Sequence, residues 1–405
     1  MKRGEKMENC SLVCHKCGKA YPIKNYSLCP ECKGILTLEY SDEYLKIALR
    51  DETSHKYMWE YASLLPPVKE KNRVSFGEGG TPLIKSREIG AEMGMKKLYF
   101  KNETCNPTGS FKDRAVSVCI SMAKEFSCEG VVVSSSGNGG AAVSAYGMKG
   151  KMKPIILIPE NTPIEKVAQA VAYGGRVVKV KGNFSKAYHV AMKVARKRNY
   201  MNVTTTFLSP YGIEGYKTIA YEIYEQLNQT PDYIFIPVGA GPALYGVYKA
   251  YEELRRGGEI ERIPRLVGVQ AAGCAPIVEA WEKKCKVRAC EDPETIASAI
   301  SDPLVGYEQD GDITVEAVKK TDGFAIAVED AEILEAGKNL ARKEGLFVEP
   351  SSAVTVAAFE YMRKKGIIDE EDICVCVLTG HGLKDSKAYV PQDMEIKVIE
   401  HENEI

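Results

Sequence analysis

From about Lys97 onward, short apolar runs alternate with stretches whose apolar residues recur at helical spacing. The runs at 131–134, 155–159, 177–180, 233–238, 266–270 and 374–379 show no polar alternation, which predicts strands buried on both faces. Between them, 164–173, 184–198 and 215–226 repeat apolar positions every three to four residues and predict helices. This alternation predicts an α/β architecture of parallel sheets covered on both faces, with ligands at the carboxyl ends of the strands. Arg255-Arg256-Gly257-Gly258 and the segment 363–366 punctuate the pattern as helix ends or turns.

The first 45 residues follow a different rule. Cys14-His15-Lys16-Cys17 and Cys29-Pro30-Glu31-Cys32 form two Cys-x-x-Cys knuckles separated by eleven residues. Each pair can turn two thiolates to one point, and two pairs complete a tetrahedral four-sulfur site for structural zinc. Filling all four positions with cysteine argues against a catalytic metal, which keeps a position open. Gly18 and Gly34 supply backbone freedom behind the knuckles, and His15 is left as a surface residue because a fifth donor is unnecessary.

Composition narrows the partners. A net charge of −1, with 27% charged residues mixed in sign, leaves no electrostatic footprint for nucleic acid or an anionic membrane. The polar start of the chain carries no apolar run resembling a secretory signal, and no stretch is long and apolar enough to span a bilayer. Thirteen cysteines in 405 residues, an odd number in a long chain, suit reduced thiols and a cytoplasmic protein rather than a disulfide scaffold.

Three segments carry candidate chemistry. In Asn106-Pro107-Thr108-Gly109-Ser110-Phe111-Lys112-Asp113-Arg114 a tight turn leads straight into a helical pattern. Lys112 there lies at a helix N-terminus, where the dipole disfavours the ammonium, and a neutral lysine is what condensation with an aldehyde requires. Ser134-Ser135-Ser136-Gly137-Asn138-Gly139-Gly140 and Val238-Gly239-Ala240-Gly241-Pro242-Ala243-Leu244 each follow a strand and open a helix. Small residues at such junctions expose backbone N–H groups suited to a phosphate or a carboxylate.

With these segments the chain resembles the threonine synthase branch of the fold type II, tryptophan-synthase-like pyridoxal-phosphate (PLP) enzymes. The resemblance runs from the knuckles to about Asp385. It includes Gly77-Glu78-Gly79-Gly80-Thr81-Pro82-Leu83, the Lys112 segment, Ile213-Glu214-Gly215-Tyr216-Lys217-Thr218, Phe347-Val348-Glu349-Pro350-Ser351-Ser352 and Leu378-Thr379-Gly380-His381-Gly382-Leu383-Lys384-Asp385. It implies two parallel-sheet α/β domains with an N-terminal zinc ribbon: 1–45 the ribbon, 46–105 with 200–395 the larger domain, 106–199 the smaller, and 396–405 a tail. It also implies that Lys112 carries PLP as a Schiff base and shuttles the substrate's α-proton. Asn138 would donate to the cofactor's 3′-oxygen, and Gly239, Ala240, Gly241, Pro242 and Ala243 would form the cradle of its phosphate. Thr379 would meet the pyridine nitrogen with a hydroxyl, leaving a weaker electron sink suited to elimination or replacement. Ser135, Ser136, Gly137, Asn138 and Gly139 would receive the amino-acid substrate. A homodimer is implied as well. Glu349 reads as a helix cap or a substrate contact, with a lean to the cap, and His381 as a catalytic group or a turn former.

The chain also departs from that pattern. Thr206, Phe207 and Gly212 stand where phosphohomoserine-using members carry an Asn-Ser pair and an arginine. Gly139 replaces a threonine, and Gly239 to Ala243 replaces Gly-Asn-Gly-Gly-Asn. Losing an arginine from a phosphate pocket costs on the order of 2 to 5 kcal/mol if nothing replaces it. Two enzymatic expectations follow: threonine synthesis from O-phosphohomoserine, or β-elimination or β-replacement on a smaller amino acid, as in serine or threonine dehydratase, diaminopropionate ammonia-lyase or cysteate synthase. A non-catalytic zinc-ribbon scaffold would predict loss of Lys112, Asn138 or Thr379, and all three are present.

Overall fold

The computed structural model describes residues 9–50, 56–135, 137–182, 184–390, 394 and 396. Three sheets organise them. The strands β1 (Cys10–Cys14), β2 (Ala20–Tyr21) and β3 (Leu36–Tyr40) form an antiparallel ribbon in the order β2-β1-β3. A four-stranded, wholly parallel sheet contains β6 (Gly130–Ser134), β7 (Pro154–Pro159), β8 (Arg176–Val180) and β9 (Tyr200–Asn202), ordered β8-β7-β6-β9.

The third sheet uses β4 (Leu83–Lys85), β5 (Leu98–Asn102), β10 (Tyr233–Pro237), β11 (Arg265–Ala271), β12 (Phe324–Val328) and β13 (Cys374–Leu378). Their order is β12-β11-β10-β13-β5-β4, parallel throughout except that β4 runs against β5.

The missing polar alternation now has its cause. Ile234, Ile236, Val375 and Val377 enter the core shared with the helices Lys112–Glu125, Pro210–Leu227 and Pro242–Gly257. Their neighbours Phe235, Cys374, Cys376 and Leu378 enter a second core with Phe359 and Met362 of the helix Pro350–Lys364. Both faces of each strand are therefore apolar, as parallel crossover topology demands.

The helix predicted at 164–173 is a 3-10 turn, Ile164–Val167, continued by a short α-helix, Ala168–Ala172. The one predicted at 215–226 starts earlier, at Pro210, whose missing N–H is harmless in a first turn. Gly215 lets this helix press on its neighbour, since a Cβ there would lie 2.3 Å from the Arg114 carbonyl oxygen.

The ribbon is docked rather than tethered. Tyr211 donates to the Lys24 carbonyl at 2.6 Å, and Arg256 Nη2 to that of Tyr40 at 2.7 Å. His15 is exposed, as its position between two candidate ligand cysteines suggests, and it also makes a contact. Its Nε2 meets the Tyr245 hydroxyl at 2.8 Å, in the first turn of the helix Pro242–Gly257.

Candidate active site

The carboxyl ends of β6, β10 and β13, with the loop after β5, open into a cavity of about 790 Å³. Lys112, Ser135, Gly137, Asn138, Gly139, Gly239, Ala240, Gly241, Pro242, Ala243 and Thr379 all line it; Ser136 lies outside the described residues.

Lys112 opens the helix Lys112–Glu125. Its amine lies 4.7 Å from the centroid of the Phe111 ring and 5.7 Å from that of Tyr216. Burial is the main reason its pKa falls from 10.5 to about 8; attraction to Asp302 and Glu349 opposes the fall. Among the described residues it makes no hydrogen bond or ion pair. The next residue, Asp113, ties the turn shut by accepting from the Thr108 amide at 2.6 Å and the Thr108 hydroxyl at 2.5 Å.

The two glycine-rich junctions differ in build. Gly241 has a φ of +98°, and a Cβ there would stand 1.9 Å from Thr314 Oγ1, so only glycine fits. Pro242 follows as the first residue of its helix, where the absent N–H forfeits no helical bond. At the other junction Asn138 begins the helix Asn138–Lys149, and a Cβ on Gly137 would meet nothing within 4 Å. The buried Ser134 hydroxyl, also on the cavity wall, has no partner among the described residues. Free backbone donors, an unpartnered hydroxyl and an amine of lowered pKa form a donor set that fits a phosphorylated aldehyde.

Glu349 departs from the capping expectation. It stands at the N-cap position of the helix Pro350–Lys364, but its side chain makes no cap hydrogen bond. The carboxylate instead turns into the cavity and accepts from Asn138 Nδ2, with both oxygens at 3.0 Å. Gly380 makes room for it, because a Cβ there would lie 2.4 Å from Glu349 Oε1. Burial raises the Glu349 pKa, while Asn138 and Lys384 oppose the rise. Ser352 takes over at the turn: its Oγ accepts from the amides of Thr379 and Gly380, and it meets Thr379 Oγ1 at 2.9 Å. His381 forms the turn, its Nδ1 accepting from the Leu383 amide at 3.1 Å.

Three groups on the wall escaped the sequence reading. Asp302 accepts from the Tyr307 hydroxyl at 2.5 Å and faces Lys112, and Gln169 and Lys384 meet across the cavity. Asp302 sits in an irregular segment without a motif, and nothing local marks it. Lys384 lies within a matching motif, and that motif was the available signal.

The four cysteines gather away from this cavity. Their sulfurs all lie within 4.8 Å of one another, with Cys14 and Cys32 at 3.4 Å and Cys17 and Cys29 at 3.8 Å. Zinc–thiolate bonds of about 2.3 Å in a tetrahedron separate sulfurs by about 3.8 Å, so the donor set fits the metal. Gly18 needs the backbone freedom expected of it, at φ +71°, whereas Gly34 needs space: a Cβ there would lie 2.9 Å from Cys14 Sγ.

Parallel strands ending at a half-buried lysine between two backbone anion cradles define an enzyme that works on an amine through a phosphorylated aldehyde. A family model described as pyridoxal-phosphate-dependent enzyme matches residues 74–380, and the chain belongs to that family. It is 40% identical to the threonine synthase of Methanocaldococcus jannaschii over 383 residues, 93% of each chain. It is 36% identical to that of Methanosarcina acetivorans over 96% of each. Among solved structures, maize serine racemase superposes with a TM-score of 0.66 at 26% identity, covering 75% of this chain and 88% of that one. A tomato (Solanum lycopersicum) threonine deaminase shares the fold with a TM-score of 0.67 at 22% identity, covering 82% and 92%.

The depressed Lys112 pKa has a measurable consequence. The neutral amine is the nucleophile, so PLP incorporation into cofactor-free protein should accelerate as pH rises and level off above about 8. Below that value the rate should fall about tenfold per pH unit. A plateau reached only near pH 10 would contradict the buried position of the amine.

Proposed function

We propose that the protein is a threonine synthase, converting O-phosphohomoserine and water to threonine and phosphate. The observation that carries this reading is the 40% identity to a threonine synthase across 93% of both chains. When bound, PLP supplies an aldehyde for the substrate amine and a ring that withdraws electrons from the adjacent carbon. Lys112 would hold the cofactor and move the proton at that α-carbon. The N–H groups of Gly239, Ala240 and Gly241 would take the cofactor phosphate, with Pro242 and Ala243 beginning the helix behind them. Asn138, steadied by Glu349, would donate to the 3′-oxygen. The Thr379 hydroxyl, steadied by Ser352, would face the ring nitrogen without protonating it. Ser135, Ser136, Gly137, Asn138 and Gly139 would receive the substrate carboxylate.

Coupled assays of phosphate release and threonine formation test this reading; no phosphate release at high enzyme concentration would remove it. One observation favours the second reading, β-elimination or β-replacement on a smaller amino acid. A Cβ on Gly212 would lie 3.2 Å from Cys119 Sγ, so a side chain at the position expected to carry an arginine would require that sulfur to give by a few tenths of an ångström. Keto-acid formation from serine, threonine or diaminopropionate without phosphate release would support that alternative.

The same reading gives the ribbon one structural zinc and the protein a cytoplasmic, homodimeric form. Metal analysis should find one zinc per chain. Cys29→Ser should lose it and loosen the ribbon, seen as faster amide exchange in β1 and β3. Unchanged zinc content in that variant would remove the zinc assignment.

A further inference from the structure

Each anionic group of the proposed substrate and cofactor needs a receiver, and three on the cavity wall stand out. The Gly239–Gly241 amides suit the cofactor phosphate and the loop before Asn138 suits a carboxylate, both at helix N-termini. The third is a side chain. Lys384 projects from the short turn Gly382–Lys384 over the lysine loop, its Cε 3.1 Å from where a Cβ on Gly109 would stand. Its Nζ donates to Gln169 Oε1 at 2.7 Å. The Gln169 amide cannot turn away, because its Nε2 donates to the Thr108 carbonyl at 3.0 Å.

No carboxylate neutralises this ammonium. Among the described residues Lys384 has no ion pair, although Glu349 and Asp113 attract it from further off. Both are already engaged, Glu349 with Asn138 and Asp113 with Thr108. Burial lowers the Lys384 pKa more than Glu349 and Asp113 raise it, so the cation taken out of water is only partly compensated. A half-buried ammonium held by one neutral oxygen in a reaction cavity is a receiver for an anion.

We propose that Lys384, positioned by Gln169, receives the side-chain phosphate of the substrate and so selects phosphorylated over unphosphorylated amino acids. The assignment rests on O-phosphohomoserine being the substrate, and it supplies the cation that Gly212 does not.

Binding to the PLP- and zinc-loaded enzyme tests it, followed through the cofactor's visible absorbance. The probes are 2-amino-5-phosphonopentanoate and norvaline, which carry the same amino acid with and without the anionic end. The unaltered enzyme should prefer the phosphonate. Lys384→Gln should weaken that probe by about 30-fold or more, as expected on removing one partner of a desolvated charge contact, and leave norvaline unaffected. Lys384→Arg, which keeps the charge, should retain most of the preference and controls for misfolding. Undiminished preference in Lys384→Gln, or equal loss of both probes, would overturn the proposal, the latter assigning Lys384 to the carboxylate. An unaltered enzyme with no preference would instead overturn the phosphohomoserine reading itself.

Discussion

Lys112→Ala should lose essentially all turnover while remaining folded. The alanine removes the amine that moves the α-proton, a role worth about 10²–10⁴-fold by itself, and the covalent anchor of the cofactor with it. Folding should survive because the Lys112 side chain, packed on the Phe111 and Tyr216 rings, carries no hydrogen bond or ion pair among the described residues. The measurement pairs steady-state kinetics with borohydride treatment of the PLP-loaded protein. The unaltered enzyme should retain cofactor irreversibly after reduction, and the variant should release it on dialysis. Covalent retention in the variant at the original rate of turnover would end this account of the site.

The second large effect lies beneath the site. Arg114 is fully buried, two residues after the lysine, and its guanidinium binds Glu103 through Nε at 2.6 Å and Glu222 through Nη1 at 2.5 Å. Glu222 also receives Lys101 at 2.7 Å and the Gly80 amide at 2.9 Å. The network thus fastens the Gly77–Leu83 segment, the loop after β5 and two helices to one another. Its two cations and two carboxylates balance, so Arg114→Met would leave an uncompensated charge without water. Breaking a buried pair on one side costs about 3–5 kcal/mol. Chemical denaturation should show the midpoint falling sharply, with cofactor affinity falling in step. Lys364→Met, which removes only an exposed partner of Glu360, should leave the midpoint almost unchanged. Adding Glu222→Gln to Arg114→Met should recover part of the loss by restoring neutrality; no recovery would mean that packing, not charge, dominates there.

How far the sequence discloses this molecule follows from the range of the interactions. The strands were legible because covering both faces of a parallel sheet forces continuous apolar runs, as at 131–134 and 374–379. The reading passed over β5, where Lys101 and Asn102 interrupt the run, and Lys101 proves to be buried against Glu222. It also passed over β12, half-exposed at the sheet edge. Lys112 and the two glycine-rich junctions were legible because backbone turns demand particular residues locally. Glu349 was read with a lean to the helix cap and Lys384 was not assigned, because their roles depend on Asn138, 211 positions away, and Gln169, 215 positions away. The contact of the exposed His15 was hidden for the same reason, its partner being 230 positions distant.

The position of β13 has a consequence for how the molecule is made. It is the last strand among the described residues, yet it lies between β10 and β5 in the middle of the six-stranded sheet. Until residues 374–378 have left the ribosome, the edges of β5 and β10 that it joins have no strand between them. Such unpaired edges invite mispairing between nascent chains. From the completion of β11 until β13 emerges the sheet therefore exists as two unjoined halves, and translation arrest or truncation before Cys374 should yield aggregates rather than a smaller working enzyme.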